Sequence, residues 1–120
     1  MVDNSEEIFH YLKAILAPYS SGMVVVIDKQ DNFYLNTHHV MKNKKPMYFG
    51  SVKINKNYVS FHLMPVYVFP KLLESISPEL MKRMQGKSCF NFKATDVKLF
   101  DELKQLTKVG YEKYQKADYL

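Results

Sequence analysis

The side chains best suited to bind a metal ion stand near the start of the chain. Asp3, Glu6, Glu7 and His10 are separated by three, four and seven residues. In a helix, this spacing puts Asp3, one of the two glutamates and His10 on one side. Two carboxylates and an imidazole bind a divalent metal such as iron or zinc weakly. The alternative is that the acids interact with the helix dipole beside an unrelated histidine.

Positive charge and aromatic residues are concentrated in the middle of the sequence. The whole chain has a formal net charge of +5, and no acid lies between Asp31 and Glu74. Three of the lysines in that stretch, Lys42, Lys44 and Lys45, fall in a polar segment that we expect to be an exposed loop over residues 38–45. A basic, aromatic surface is typical of proteins that bind nucleic acids or phosphate. The alternative is a sheet fringed with lysines that discourage aggregation.

A hairpin predicted for residues 47–54 and 58–64 has an outer face that is not polar enough to be simply solvated. With a two-residue turn, Val52 would lie opposite Val59 on the core face. The outer face would then include Met47, Phe49, Tyr58, His62 and Met64. Together with the lysine loop, we interpret this face as a surface for an anionic ligand, a protein partner or a second copy of the chain. Alternatively, residues 38–45 or 65–76 fold over it.

Motifs for catalysis are missing from the sequence, which has no glycine-rich phosphate loop, no HExxH and no GxSxG. Cys89 is the single cysteine, so a paired-cysteine metal site is ruled out. A nucleophilic cysteine would need a base close in space. His38 and His39 are neighbours, and in an extended segment they point to opposite sides and do not chelate one ion. We therefore expect a protein that is not an enzyme.

The elements that must position these groups follow from periodicity and from capping residues. A helix is predicted over residues 5–17, with a buried stripe that includes Ile8 and Leu12. The run MVVVI at 23–27 predicts a strand that is buried on both faces or lies in mid-sheet. A second strand is expected at 33–36, before the hairpin.

After the hairpin, a short helical segment is expected at 71–76. Ser77 and Pro78 then begin a helix that extends to about residue 84, and Gly86 closes it. A last strand is expected at 88–93, and Thr95 or Asp96 caps a long final helix. This order predicts an α+β fold, a two-layer sandwich in which N- and C-terminal helices pack on one face of an antiparallel sheet. Gly50, on the core face, would leave room for Phe61 or a helix to approach.

Length and composition set the class of protein. The chain has 120 residues, of which 47% are hydrophobic and 24% charged, and this fits a single domain over residues 1–120 rather than a disordered segment. No apolar run is long enough for a membrane helix, and the acidic start is unlike a secretory signal. One cysteine fits a reducing compartment, so we expect a cytoplasmic protein.

Several short motifs from residue 47 onward resemble the YdhG-like family of small bacterial proteins, a domain-of-unknown-function family. They are Met-Tyr-Phe-Gly at 47–50, Tyr-Val-Ser-Phe-His-Leu at 58–63, Gly-Lys-Ser at 86–88 and Phe-Asn-Phe at 90–92. The resemblance covers about residues 46–114. It implies a frataxin-like fold, with terminal helices packed on an antiparallel sheet.

Members of that family are described as iron chaperones, so the resemblance also implies a metal-binding role with weakly bound iron. Iron binding of the frataxin type uses acids along the first helix and the adjoining edge strand. The matching positions here are Asp3, Glu6 and Glu7, with Asp28 and Asp31 in the first turn. We thus expect a non-enzymatic binding or carrier protein. The alternative is a module that binds an anion, a nucleic acid or a protein on its basic, aromatic sheet face.

Overall fold

Five antiparallel strands form one sheet in which every strand pairs with its neighbour in the sequence. The structure, a computed structural model, describes residues 4–120. The strands are β1 (Val24–Lys29), β2 (Asn32–Val40), β3 (Pro46–Ile54), β4 (Val59–Leu63) and β5 (Cys89–Phe92). The helices are α1 (Ser5–Leu16), α2 (Met64–Val68), α3 (Pro78–Met81) and α4 (Val97–Lys116). The predicted α+β sandwich is confirmed.

The two terminal helices cover one face of the sheet and enclose the core. In α1, the predicted stripe is buried, with Ile8 and Leu12 fully inaccessible to solvent. Asp96 caps α4, since the backbone N–H of Leu99 donates to its Oδ1 at 3.1 Å. The ring of Phe100 then packs edge-on against Phe92 of β5, with 5.0 Å between ring centroids.

The prediction that β1 is an interior strand is wrong. β1 pairs with β2, and within the described part of the chain it is an edge strand. Its three valines, Val24, Val25 and Val26, are exposed rather than buried. An uninterrupted β-branched run favours a strand, but it does not specify how many neighbours that strand has.

The register predicted for the β3–β4 hairpin is wrong by two residues. Val52 lies opposite Phe61, and Ile54 lies opposite Val59. The N–H of Asn55 donates to the carbonyl of Tyr58 at 2.8 Å, which leaves Lys56 and Asn57 at the turn, one residue later than the predicted register implies. Because side chains alternate with a period of two, an even shift keeps every β4 side chain on its predicted face. His62 thus lies on the outer face, opposite Ser51 rather than Phe49.

Met47 and Phe49 were predicted on the outer face, and this placement is wrong, since both are buried in the core. The cause is a shift in the β2–β3 register between the Leu35–Gly50 and Asn36–Tyr48 pairs, which leaves Phe49 as an extra residue in β3. Such a β-bulge reverses the alternation on one side of the extra residue. Tyr48 consequently lies on the outer face.

Other boundaries differ less from the predictions. β2 continues to Val40, so the predicted loop at 38–45 is reduced to 41–45. Ser77 caps α3, because its Oγ accepts from the N–H of Leu80 at 3.2 Å, but α3 ends at Met81 rather than near 84. Gly86 has a positive φ of 85°, but it lies five residues beyond the end of α3, so the prediction that it closes this helix is wrong.

Gly50 confirms the close approach of a helix to the sheet. A Cβ atom at this position would lie 2.9 Å from the carbonyl oxygen of His62 and 3.2 Å from Cδ2 of Leu16. We expect Gly50→Ala to lower the free energy of unfolding by about 1–3 kcal/mol, because α1 and β4 must both shift. Urea denaturation measures the change.

Gly22→Ala is the matched control, since nothing lies within 4 Å of the added Cβ there. It should change the free energy of unfolding by less than about 1 kcal/mol. Equal effects of the two substitutions would contradict the packing of α1 on β3.

Candidate functional site

Two rows of side chains run across all five strands on the face of the sheet opposite α1. The first row consists of cross-strand neighbours Ile27, Tyr34, Ser51, His62 and Cys89. The second row, two residues along each strand, consists of Lys29, Asn32, Lys53, Ser60 and Asn91. Apart from Lys29, these residues line an open depression of about 590 Å³ together with Tyr48 and Tyr58, and we call it the outer-face trough. Antiparallel pairing sets this arrangement, since residues directly opposite share a face.

An aromatic platform forms one wall of the trough. The rings of Tyr34 and Tyr48 are stacked, with 4.7 Å between centroids and 21° between planes. The Tyr48 hydroxyl is hydrogen bonded to Oγ of Ser51, which fixes the second ring. Burial raises the pKa of Tyr48 above its usual value, so this phenol stays neutral.

His62 and Cys89 lie side by side near the other end of the first row. Burial lowers the pKa of His62 and raises the pKa of Cys89 to about 11. At neutral pH the site therefore presents a neutral imidazole and a protonated thiol, and the thiol donates to Oδ1 of Asn91 at 3.3 Å. Strand pairing puts an imidazole on the strand position beside the thiol, but burial shifts the thiol away from the thiolate form that a nucleophile needs.

The electrostatics of the trough favour an anion. Of the described residues that line it, Lys53 is the one with a formal charge at neutral pH, and none is a carboxylate. The remaining polar groups are amides, hydroxyls and a neutral imidazole. Such groups donate and accept hydrogen bonds without repelling a negative charge.

The structure brings together part of the predicted ligand or partner surface. Tyr58 and His62 both line the trough. Met64 begins α2 and is half-buried against the core. Lys42, Lys44 and Lys45 are exposed in the loop between β2 and β3, outside the trough lining.

Only some of the predicted metal ligands lie close together in the structure. Glu6 and His10 line a cleft with Asp28 and Asp31, but Nζ of Lys13 lies 2.9 Å from Oδ1 of Asp28. Glu7 is exposed and Asp3 lies outside the described residues. Among residues 4–120, no three His, Cys, Asp or Glu side chains converge to hold a metal ion. Iron binding at this helix therefore stays a prediction.

The two neighbouring histidines in β2 also lie apart, as alternation predicts. His38 is exposed, whereas the ring of His39 packs 5.3 Å from that of Tyr119. They do not form a shared chelating pair.

Several residues of the trough were not predicted from the sequence, among them Tyr34, Tyr48 and Asn91. Alternation could have placed two of them, because Tyr34 stands between Phe33 and Leu35, and Asn91 between Phe90 and Phe92, all four of which are buried. Tyr48 depends on the bulge, which local alternation does not reveal.

Comparisons with protein families, with curated proteins and with solved structures find no match to this chain. Within residues 4–120, no helix has the length and apolar character needed to cross a membrane. The trough and the cleft beside α1 are the features of the described chain whose chemistry bears on function.

Protonation of His62 should make stability depend on pH. Because burial lowers its pKa in the folded protein, the unfolded chain takes up this proton first as pH falls through the ordinary value of 6.5. We expect the free energy of unfolding to fall between pH 7.5 and 5.5, and His62→Gln to reduce that fall. Urea denaturation at a series of pH values measures both.

His38→Gln, which changes an exposed histidine on β2, is the control and should leave the pH dependence as in the unaltered protein. An NMR titration midpoint for His62 at or above 6.5 would contradict the interpretation.

Proposed function

We propose that this protein is a non-catalytic binding module whose outer-face trough binds an anionic ligand with a planar ring. The chemistry that fits is the base-and-phosphate unit shared by free nucleotides and single-stranded nucleic acids. The observation that supports it is the pairing of a stacked tyrosine platform with Lys53, among lining residues with no carboxylate.

The platform supplies the attraction for the ring. Stacking of a base on an aromatic side chain contributes about 1–3 kcal/mol and tolerates any base. Tyr34 is half-buried, so part of its ring is open to solvent. The Tyr48 ring behind it is held by Ser51. A rigid second ring limits the conformational entropy that binding would cost.

The second row supplies the attraction for the negative charge. Lys53 follows Ser51 by two residues on β3, which separates the two positions by about 6–7 Å along the strand. A ligand that stacks on the platform can therefore also contact the Lys53 ammonium group. His62 and Asn91 flank this path, and each can donate to or accept from the edge of a base.

A polymer would engage more of the surface than a single nucleotide. The loop of Lys42, Lys44 and Lys45 lies outside the trough, where it can contact only a ligand that extends beyond it. Single-stranded nucleic acid should then bind more tightly than a mononucleotide and with a steeper salt dependence. A protein that carries free mononucleotides would instead bind a mononucleotide more tightly than single-stranded nucleic acid.

The YdhG-like resemblance is part of the same proposal. An antiparallel sheet with terminal helices on one face is the architecture that the resemblance implies, and the family's carrier role is compatible with a binding module. Iron would be the cargo at Glu6 and His10 rather than in the trough, whose lining offers no carboxylate.

Calorimetric titration with adenosine monophosphate and with a six-nucleotide single-stranded RNA tests the trough. Tyr34→Ala should weaken binding by roughly 5- to 150-fold, the loss of one stacked base. Lys53→Gln should weaken binding and reduce the slope of log affinity against log salt by about 0.7.

Tyr67→Ala and Lys98→Gln are matched controls, since both residues are exposed and neither lines the trough. They should bind as the unaltered protein does. Equal loss in Tyr34→Ala and Tyr67→Ala would contradict the proposal.

An anaerobic ferrous titration followed by amide NMR separates the two sites. If the trough is the functional site, ferrous ion leaves the amides of Ser51, His62 and Asn91 unshifted. Saturable shifts at Glu6 and His10 that Glu6→Gln removes would instead favour the iron carrier.

A further inference from the structure

The composition of β1 does not match its position in the sheet. Uninterrupted β-branched runs are typical of strands with a neighbour on each side. Yet the exposed fractions of Val24, Val25 and Val26 are 40%, 44% and 49%. In a strand that packs on a core, every second side chain should be buried. Because three successive valines are exposed, we infer that the helices do not cover this edge of the sheet.

The free edge of β1 has no proline and no lysine before Lys29, although a β-bulge lies in the strand. Natural edge strands are blocked by proline or by lysines in mid-strand. Residues 24–27 of β1 are all apolar, and its two charged residues, Asp28 and Lys29, stand at the end. Asp28 is already neutralised by Lys13 at 2.9 Å.

We propose that β1 pairs antiparallel with β1 of a second copy of this chain, which joins two five-stranded sheets into one of ten strands. Two-fold antiparallel pairing is self-complementary, because each strand meets the donors and acceptors of an identical partner. The valines of one copy then pack against those of the other. The proposal is independent of what the trough binds.

Charge is compatible with this arrangement. Antiparallel pairing centred on residues 25–27 puts Asp28 and Lys29 of each copy beside the start of the partner strand. Residues 22–24 there are Gly, Met and Val, which have no charge. No like charges oppose each other. A parallel arrangement would instead bring the two copies of Lys29 together.

The bulge in β1 limits how long the new ladder can be. The β1–β2 register shifts between Val25 and Ile27, so Val26 is an extra residue that increases the local twist. A six-residue edge buries less surface than a standard interface of about 800 Å² per partner. We therefore expect a dimer with a dissociation constant in the micromolar range or weaker.

Dimerisation through β1 would have a geometric consequence for the trough. The two-fold axis between antiparallel edge strands is perpendicular to the sheet, so both outer faces point the same way. Ile27, the first residue of the first row, lies on β1. The two troughs would thus adjoin across the new β1–β1 seam.

Sedimentation velocity between about 5 and 500 µM tests the proposal. The unaltered protein should shift from monomer to dimer with concentration. Val25→Lys, which puts a charge in mid-edge, should weaken the dimer at least tenfold. Val97→Lys is the matched control, because Val97 is 53% exposed and lies at the start of α4, away from β1. This variant should dimerise with the same affinity as the unaltered protein.

Two results would overturn the proposal: monomer at every concentration, or equal dimerisation of Val25→Lys and the unaltered protein. Circular dichroism melting confirms that each variant is folded. Hydrogen exchange gives an independent measurement on the unaltered chain, since amides of residues 24–27 should become more protected as concentration rises. Unchanged protection there, with a dimer present, would place the contact elsewhere and refute the pairing.

Discussion

The extra residue at Phe49 is the constraint on which both faces of the sheet depend. The bulge sends the Phe49 ring into the core, where it meets Tyr114 edge-on with 5.7 Å between centroids. It sends the Tyr48 ring to the opposite face, where it stacks on Tyr34. The Tyr114 hydroxyl donates to the carbonyl of Tyr48 at 2.8 Å, so the last helix holds the bulged backbone directly. Core packing and the aromatic platform of the trough therefore share one backbone irregularity.

Much of the fold could be predicted from the sequence because the relevant patterns are local. The stripe of α1, the Ser77 and Asp96 caps and the alternation of β4 each involve residues within a few positions of one another. What could not be predicted is non-local. Whether Val25 lies at an edge depends on which strands pair, and the inversion of Phe49 depends on a bulge against β2. An even error in register leaves faces unchanged, whereas one inserted residue reverses them.

The same distinction between local and non-local patterns explains which residues of the candidate site could be predicted. Tyr58 and His62 were found from alternation in a hairpin, but their neighbours come from strands far apart in the sequence. Cys89 reaches His62 only because β5 returns to pair with β4 after two short helices. The charge pattern was less informative, since Lys42, Lys44 and Lys45 lie outside the trough while Lys53 lies within it. The net charge describes the surface as a whole, whereas the sheet register decides which lysine lies in the trough.

The order of the strands also determines how the chain assembles. Short connections join β1 to β4 in sequence order, so this part of the sheet can grow hairpin by hairpin with small losses of loop entropy. The contact between α1 and α4 joins the two ends of the chain and closes the largest loop. Because α1 precedes every strand in the chain and α4 follows every strand, α1 is the terminal helix that can cover the apolar face of the sheet before α4 has been made.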